Sequence, residues 1–229
     1  MYGSVVPATC KRSTVSDYQG LLKHYSKHYP LALLLARTGM RIGDATALKW
    51  GDIDLEGRLI TVRRAISRDR VKTPKSGKSR MLDMAQQLKT TLLKYGHMCR
   101  INSLKGKYSE LPEWLFLNNS LGPSDGNNWR KRVFDKALNK AGLRKIRVHG
   151  LRHTYASLLI KNGEFLAYVR DQLGHHSIKI TVDIYGHLAP EGNKEAVDRL
   201  DDSDSTPPNA PHTHPGQKKD KSKRNNYLK

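Results

Sequence analysis

Five short segments of this 229-residue chain place arginine, lysine, histidine or tyrosine side chains beside glycines. In chain order they read TGMRIGD at 38–44, TPKSGKSR at 73–80, HGLRH at 149–153, LGHHS at 173–177 and DIYGH at 183–187. Between them they offer two arginines, a lysine, two histidines and a tyrosine: Arg41, Arg152, Lys75, His149, His175 and Tyr185. Phosphoryl transfer to a tyrosine hydroxyl requires this set of groups.

Each residue type in the set has a physical reason to be there. Arginine matches the equatorial oxygens of a phosphorane-like transition state in bidentate fashion and stays charged at every relevant pH. Lysine or histidine can protonate a departing 5′-oxygen of deoxyribose, which is otherwise a poor leaving group. Tyrosine can form a covalent phosphotyrosyl bond that stores the energy of the broken bond. Because the positive charges come from side chains, we expect neither a metal ion nor another cofactor.

Each segment taken alone has an ordinary structural interpretation. A pair such as Arg41 and Asp44 at a helix start is usually structural or solvated. A lysine-rich hairpin tip is usually exposed, and Tyr185 alone would most often be a packing residue. Arg152 is more informative, because it shares a helix face with His149 at i and i+3 and a buried arginine needs an anionic partner.

The surrounding pattern predicts a mainly α domain with a small antiparallel β-sheet, an α+β fold. Apolar spacing and glycine stops predict helices at 29–38, 42–50, around 88–95, 128–141, 148–161 and 165–173. β-Branched residues and turn chemistry predict strands at 59–62 and 114–117, and a hairpin of 71–75 with 79–84 around Gly77.

Lysine and arginine outnumber aspartate and glutamate by 41 to 21, which gives a formal net charge of +20. Such a surplus indicates a polyanionic partner, with nucleic acid ahead of an anionic membrane surface. Cys10 and Cys99 are too few for a disulfide framework or a four-ligand zinc site and are interpreted as reduced thiols. No secretory signal is visible, and the most apolar stretch, 31–36, is too short to span a bilayer, so we expect a cytoplasmic protein.

Composition divides the chain into three parts. Residues 1–17 are expected to be an N-terminal extension, and 18–200 have the pattern of a globular domain. Residues 201–229 hold four prolines and a basic run but almost no large apolar side chains. That composition predicts a disordered basic tail. The tail carries six lysines and arginines against four aspartates, so most of the net charge belongs to 1–200.

The five segments, in this order and at this spacing, closely resemble the catalytic domain of tyrosine recombinases, the phage integrases in particular. The resemblance runs from about residue 31 to residue 188 and implies that 18–200 has the fold of that catalytic domain. It implies that Arg41 and Arg152 clamp the scissile phosphate. It also implies that Tyr185 is the nucleophile, which forms a 3′-phosphotyrosyl bond and releases a 5′-hydroxyl.

The same resemblance assigns roles to the remaining positions. Lys75 would reach the cleavage site from the hairpin and serve as general acid, with Lys78 on the same turn as the alternative. His149 would assist the proton transfers at the phosphate, and His175 would hydrogen-bond a non-bridging oxygen. Asp44 occupies the acidic position that supports the first arginine.

Three more histidines neighbour these positions and are given no role. His153 and His176 are expected to point away from the site on their helices. His187, two residues after the tyrosine, is expected to be a surface histidine.

The resemblance implies a site-specific DNA recombinase that cleaves and rejoins DNA for integration or excision of a mobile element. Its expected partners are double-stranded DNA, copies of itself in a homotetramer on paired sites, and an accessory DNA-bending protein, with no membrane. We expect a cytoplasmic, nucleoid-associated protein of prokaryotic or phage origin. Integrases of this type carry a helical core-binding domain before the catalytic one, and the roughly 30 residues before the first helix are too few for it. The alternative is therefore a truncated, catalytically incompetent remnant that only binds DNA.

Other classes explain less of the sequence. A type IB topoisomerase uses a similar phosphate site, but its motif spacing differs. A non-catalytic DNA-binding protein could use 165–184 as a helix-turn-helix, and a basic RNA-binding protein leaves the five ordered motifs unexplained.

Overall fold

The computed structural model describes residues 27–67, 70–73, 77, 79–105, 112–188, 194 and 198. The chain divides into two compact units, Met1–Pro190 and Glu191–Lys229. In the second unit Lys194 and Asp198 are described, and both are helical. The predicted extension at 1–17 and the predicted tail at 201–229 lie outside the described residues. Among those that are described, no helix is long and apolar enough to cross a membrane.

Helix α1, Tyr29–Thr38, has the bounds that its sequence predicts. Pro30 lies in the first turn, where its missing N–H removes no helical hydrogen bond. Every side chain from residue 30 to residue 35 is buried. Helix α2 covers only Ile42–Thr46, and Trp50–Asp52 forms a separate 3₁₀ turn, so the predicted helix at 42–50 is too long. The Asp52 carboxylate accepts a hydrogen bond from the backbone N–H of residue 49 at 2.9 Å, which starts the new turn.

Five short strands follow: β1 Ile53–Asp54, β2 Leu59–Val62, β3 Ala65–Ser67, β4 Arg70–Lys72 and β5 Arg80–Asp83. Strands β1, β2 and β5 form an antiparallel sheet in that order, and β3 pairs with β4 in a separate antiparallel ribbon. The predicted pairing of 71–75 with 79–84 is therefore wrong for the described residues. Burial explains the difference, because Ile60 of β2 and Leu82 of β5 lie opposite each other and are both fully buried, whereas all three residues of β4 are exposed.

The middle of the chain is helical with one irregular connection. Helix α3, Gln86–Leu104, buries Leu88 and Leu92. Two isolated bridges, at Trp114 and at Leu117, replace the predicted strand at 114–117. Helices α4, Gly126–Trp129, and α5, Asp135–Lys140, are joined by a π-helical stretch, so the predicted helix at 128–141 begins two residues earlier and contains a wide turn.

Three helices complete the described domain: α6 Val148–Lys161, α7 Leu166–Leu173 and α8 Ile178–Tyr185. They surround a small apolar cluster of Ala156, Ile160, Val169, Leu173 and Tyr185. A larger cluster joins α1, the three-stranded sheet, α3 and α5. The fold is mainly helical with small antiparallel sheets, which confirms the predicted class.

Candidate active site

Arg152 is the most deeply held of the predicted site residues. It lies on α6 with 3% of its surface exposed. Its Nη1 donates a hydrogen bond to the carbonyl of Gly39 at 2.8 Å, and its Nη2 donates to the carbonyl of Leu173 at 2.7 Å. These carbonyls belong to the residue that ends α1 and to the last residue of α7. One guanidinium therefore fixes the relative positions of three helices, and its orientation is set by backbone atoms.

Arg152 keeps its positive charge at neutral pH. Burial, and to a smaller extent the charges of Arg41 and then Arg80, lower the pKa of Arg152 to about 10, while Tyr185 and, more weakly, Asp44 act in the opposite direction. Its two hydrogen-bond acceptors are neutral carbonyls. An anion placed between these guanidinium groups would relieve their mutual repulsion, so the cluster is suited to bind one.

Two glycines allow the chain to come this close to the arginines. Gly39 has a φ of +60°, and a Cβ there would lie 2.5 Å from Cδ1 of the Tyr155 ring. Gly174 has a φ of +64°, and a Cβ there would lie 2.6 Å from Cδ of Arg80. Both positions need the left-handed backbone and lack room for a methyl group. These two motif glycines thus have a steric function.

Arg41 stands at the start of α2, in the N-cap position with extended backbone. Its charge acts on Arg152, His149 and His175, whose pKa values it lowers, so all four side chains belong to one site. Asp44, in the first turn of α2, was expected to support Arg41. The structure instead pairs its carboxylate with Arg80, whose Nη2 lies 2.7 Å from Oδ2.

Arg80 is a site residue that the sequence analysis missed. It opens β5, its side chain is 10% exposed, and its Nε and Nη1 are buried without a hydrogen-bond partner among the described residues. One signal was available: Arg80 is two residues from the buried Leu82, so the two side chains share the inward face of a strand. A charged side chain on the inward face of a strand requires a compensating partner. For Arg80 that partner is the carboxylate of Asp44, beside the guanidinium cluster.

The two predicted site histidines are uncharged at neutral pH. Partial burial, then Arg152 and Arg41, lower the pKa of His175 to about 4. Its Nδ1 lies 2.9 Å from the hydroxyl oxygen of Thr181 on α8, which fixes the ring. Partial burial, then the neighbouring His153 and the two arginines, lower the pKa of His149 to about 4. A neutral imidazole beside arginines can donate a hydrogen bond without adding charge, and its other ring nitrogen can accept a proton.

Tyr185, the last residue of α8, is 3% exposed. Its hydroxyl lies 2.7 Å from Nδ1 of His153. Burial raises the pKa of Tyr185 to about 12, against a smaller lowering by Arg152. The expectation that His153 points away from the site is therefore wrong. The sequence feature that could have placed His153 in the site is its i, i+4 spacing from His149. That spacing puts both rings on one face of α6, with centroids 4.9 Å apart.

The structure brings together five of the six predicted catalytic residues: Arg41, His149, Arg152, His175 and Tyr185. Lys75 and its alternative Lys78 lie outside the described residues, so the choice between them stays a prediction. His176 and His187 are exposed, as expected. Within the part of the chain that the structure describes, no group of three or more histidine, cysteine, aspartate and glutamate side chains is placed to hold a metal ion.

Guanidinium groups, neutral imidazoles and a buried phenol at one point form a site whose chemistry suits a phosphate beside a tyrosine hydroxyl. The chain belongs to the phage integrase family, whose model matches residues 12–191. It is 31% identical to the ICEBs1 integrase of Bacillus subtilis over 78% of this chain and 49% of that protein. It is 32% identical to a XerC-like tyrosine recombinase of Caldanaerobacter subterraneus over 75% of this chain and 48% of that protein. The chain thus spans about half the length of these curated relatives.

Solved structures share the fold. The XerA recombinase matches with a TM-score of 0.63 at 22% identity, covering 90% of this chain and 68% of that one. The Tn1549 transposon integrase, in complex with a circular intermediate DNA, matches with a TM-score of 0.69 at 20% identity, covering 88% of this chain and 68% of that one. The catalytic domain of the bacteriophage HP1 integrase matches with a TM-score of 0.55 at 20% identity, covering 84% of this chain and 96% of that domain.

Proposed function

We propose that this chain carries the catalytic domain of a site-specific DNA recombinase, which cleaves and rejoins DNA through a 3′-phosphotyrosyl intermediate. The reaction serves the integration or excision of a mobile element. The observation that carries the proposal is the position of Tyr185, buried within the field of Arg152 and beside the histidine–arginine cluster. A phenol in that position has a phosphate site next to it and a covalent reaction open to it.

In the cleavage step, Arg41 and Arg152 hold the non-bridging oxygens of the scissile phosphate and stabilise the charge that builds on them. His175, fixed by Thr181, hydrogen-bonds one of the same oxygens, and His149 assists proton transfer. The phenol oxygen of Tyr185 forms a bond to phosphorus while the bond from phosphorus to the 5′-oxygen breaks.

The leaving group takes its proton from Lys75, the general acid that the family resemblance assigns. Rejoining reverses the step, as a 5′-hydroxyl attacks the phosphotyrosyl bond and the tyrosine leaves. The phosphodiester energy is conserved in the covalent bond, so the cycle needs no nucleotide cofactor.

The partner of this reaction is double-stranded DNA, bound by a homotetramer on two paired sites with an accessory DNA-bending protein, at the nucleoid of a prokaryotic cell. A net charge of +20 supports the DNA partner, because phosphate contacts from lysine and arginine dominate affinity for a duplex. Relatives described as an integrase and as the transposase of transposon Tn916 support the link to mobile elements.

The test uses nicked duplexes that carry the attachment sequence from the flanks of the gene, so that cleavage releases a short strand and traps the adduct. Denaturing electrophoresis should show a covalent protein–DNA adduct for the wild-type chain and none for Tyr185→Phe. The adduct should form equally well in EDTA, because the charge at the phosphate is supplied by side chains. DNA binding without an adduct would reject the proposal in favour of a binding-only remnant, and an adduct that survives in Tyr185→Phe would reject the nucleophile.

A further inference from the structure

The hydrogen bond between Tyr185 and His153 has no assigned role in the reaction proposed above. Its two atoms lie 2.7 Å apart, the distance of a well-formed hydrogen bond from a hydroxyl. The phenol is 3% exposed, so bulk water has little access to take its proton. A nucleophilic tyrosine must lose that proton as it attacks, and the proton therefore needs a protein acceptor.

The direction of this hydrogen bond follows from the charge state of His153. Burial, then the neighbouring Arg152, lower the pKa of His153 below its usual value, so the ring is neutral at pH 7. The pKa of Tyr185 is raised, so the phenol keeps its proton in the free protein. The phenol is then the donor and Nδ1 the acceptor, with the ring proton on Nε2.

The surroundings keep the ring in place. His149, one turn earlier on α6, meets it edge to face with centroids 4.9 Å apart. The centroid of the Tyr185 ring lies 5.8 Å from that of His153. Among the residues that the structure describes, the titratable and charged groups that interact with His153 are His149 and Arg152 on its own helix and Tyr185 on α8. An incoming phosphate adds negative charge beside Arg152 and so offsets the positive charge that, after burial, opposes protonation of His153.

We propose that His153 is the general base that accepts the phenol proton of Tyr185 during DNA cleavage. The proton passes from the phenol oxygen to Nδ1 as the bond from that oxygen to phosphorus forms. The bond from phosphorus to the 5′-oxygen breaks, and the 5′-oxygen takes a proton from the general acid on the leaving-group side. In rejoining, the attacking 5′-hydroxyl gives its proton back to that general acid, and His153 returns its proton to the departing phenol oxygen. Each base and acid therefore ends the cycle as it began.

This inference rests on the proposed recombinase function and is tested by the rate of adduct formation in a single turnover. His153→Asn places an amide oxygen near the position of Nδ1, so it can accept the hydrogen bond but cannot take the proton. We expect the rate at pH 7 to fall about 10²-fold or more, the usual contribution of a general base. His97→Asn is the matched control, an identical change at an exposed histidine of α3, and should react like the wild type.

The pH profile separates proton transfer from positioning. Without a base, the phenol must ionise by itself, so the rate of His153→Asn should rise about tenfold per pH unit towards the raised pKa of Tyr185. The wild-type rate should instead level off once His153 is neutral. An Asn variant as fast as the wild type would overturn the proposal and leave only a positioning role.

A second measurement needs no DNA. Nitrogen chemical shifts of ¹⁵N-histidine protein should show a neutral His153 with its proton on Nε2, and loss of the hydrogen-bond shift at Nδ1 in Tyr185→Phe. A proton on Nδ1 would overturn the proposal, because the phenol would then be the acceptor. Absence of any adduct with the wild type would reject the recombinase function itself, whereas a reactive wild type with an equally fast Asn variant rejects the base alone.

Discussion

The two halves of the active site are held in different ways. The phosphate half is built on Arg152, which two backbone carbonyls fix, and on Arg80, which the buried Asp44 pairs. The tyrosine half is built on α8, an eight-residue helix with three partly exposed apolar side chains, Ile178, Val182 and Ile184. Among the described residues, one side-chain hydrogen bond holds the hydroxyl of Tyr185, the proposed nucleophile.

This difference matches the work of each half. Transition-state charge is stabilised best by groups that need no reorganisation, so the cationic half benefits from backbone anchoring. A nucleophile has to exchange one bonding partner for another during the reaction. A single hydrogen bond to a neutral base holds the phenol in place before the reaction and is easily broken when the phenol oxygen bonds to phosphorus. We expect the phosphate half to be sensitive to shape and the tyrosine half to be sensitive to proton affinity.

The largest effect should come from Arg152→Lys, which retains the charge but loses the planar fork whose two nitrogens donate separately to the Gly39 and Leu173 carbonyls. We expect single-turnover adduct formation to fall about 10³-fold, the scale for losing a preorganised donor at developing charge. Arg100→Lys, an exposed position on α3, is the control and should react normally. A fully active Arg152→Lys would show that charge alone is sufficient in the phosphate half.

The ion pair between Asp44 and Arg80 should dominate the stability of this half. Asp44→Asn leaves a mostly buried arginine without its carboxylate, and breaking such a pair costs about 4 kcal/mol. The free energy of unfolding in urea measures the loss. Replacing both residues, with Asp44→Asn and Arg80→Met, should lower the free energy of unfolding less than Asp44→Asn alone, because no buried guanidinium is then left without a carboxylate. Equal losses of unfolding free energy for the single and double variants would mean that the Arg80 guanidinium is compensated even without the Asp44 carboxylate.

A methyl group at Gly39 should destabilise the domain by about 3 kcal/mol, from left-handed backbone strain and the contact with Tyr155. Gly142→Ala is the matched control, since Gly142 has a φ of +64° but open space around it, and it should lose only about 1 to 2 kcal/mol. Urea unfolding of the two variants separates the steric contribution from the backbone contribution. Similar losses would show that the ring of Tyr155 moves aside without cost.

The smallest effect concerns pH. The pKa of His175 is about 4 in the folded chain and near 6.5 when unfolded, so the unfolded state binds more protons between these values. His175 therefore leaves stability unaffected above pH 6.5 and reduces it as the pH falls towards 4. The urea-unfolding free energy of His175→Asn should decline less steeply between pH 7 and pH 5 than that of the wild type. His97→Asn serves as the control and should keep the wild-type slope.

Local chemistry made much of the fold predictable. Helix α1 follows from an apolar run with Pro30 at its start and Gly39 at its end, and α7 follows from apolar spacing that ends at Gly174. These signals act within one helical turn of the chain, so no distant contact has to be known. The residue types of the candidate site were predictable for a similar reason, because arginine, imidazole and phenol groups suit phosphoryl transfer to a tyrosine hydroxyl whatever the fold.

Pairings between distant segments were decided by the tertiary structure. Strand β5 prefers β2 to β4 because Ile60 and Leu82 bury each other, and neither residue carries information about the other in its own segment. The partner of Asp44 is 36 residues away and the partner of His153 is 32 residues away. Such contacts depend on how helices and strands pack around a shared core. The sequence alone therefore determines which titratable and charged side chains are available, and packing determines which of them form ion pairs and hydrogen bonds with one another.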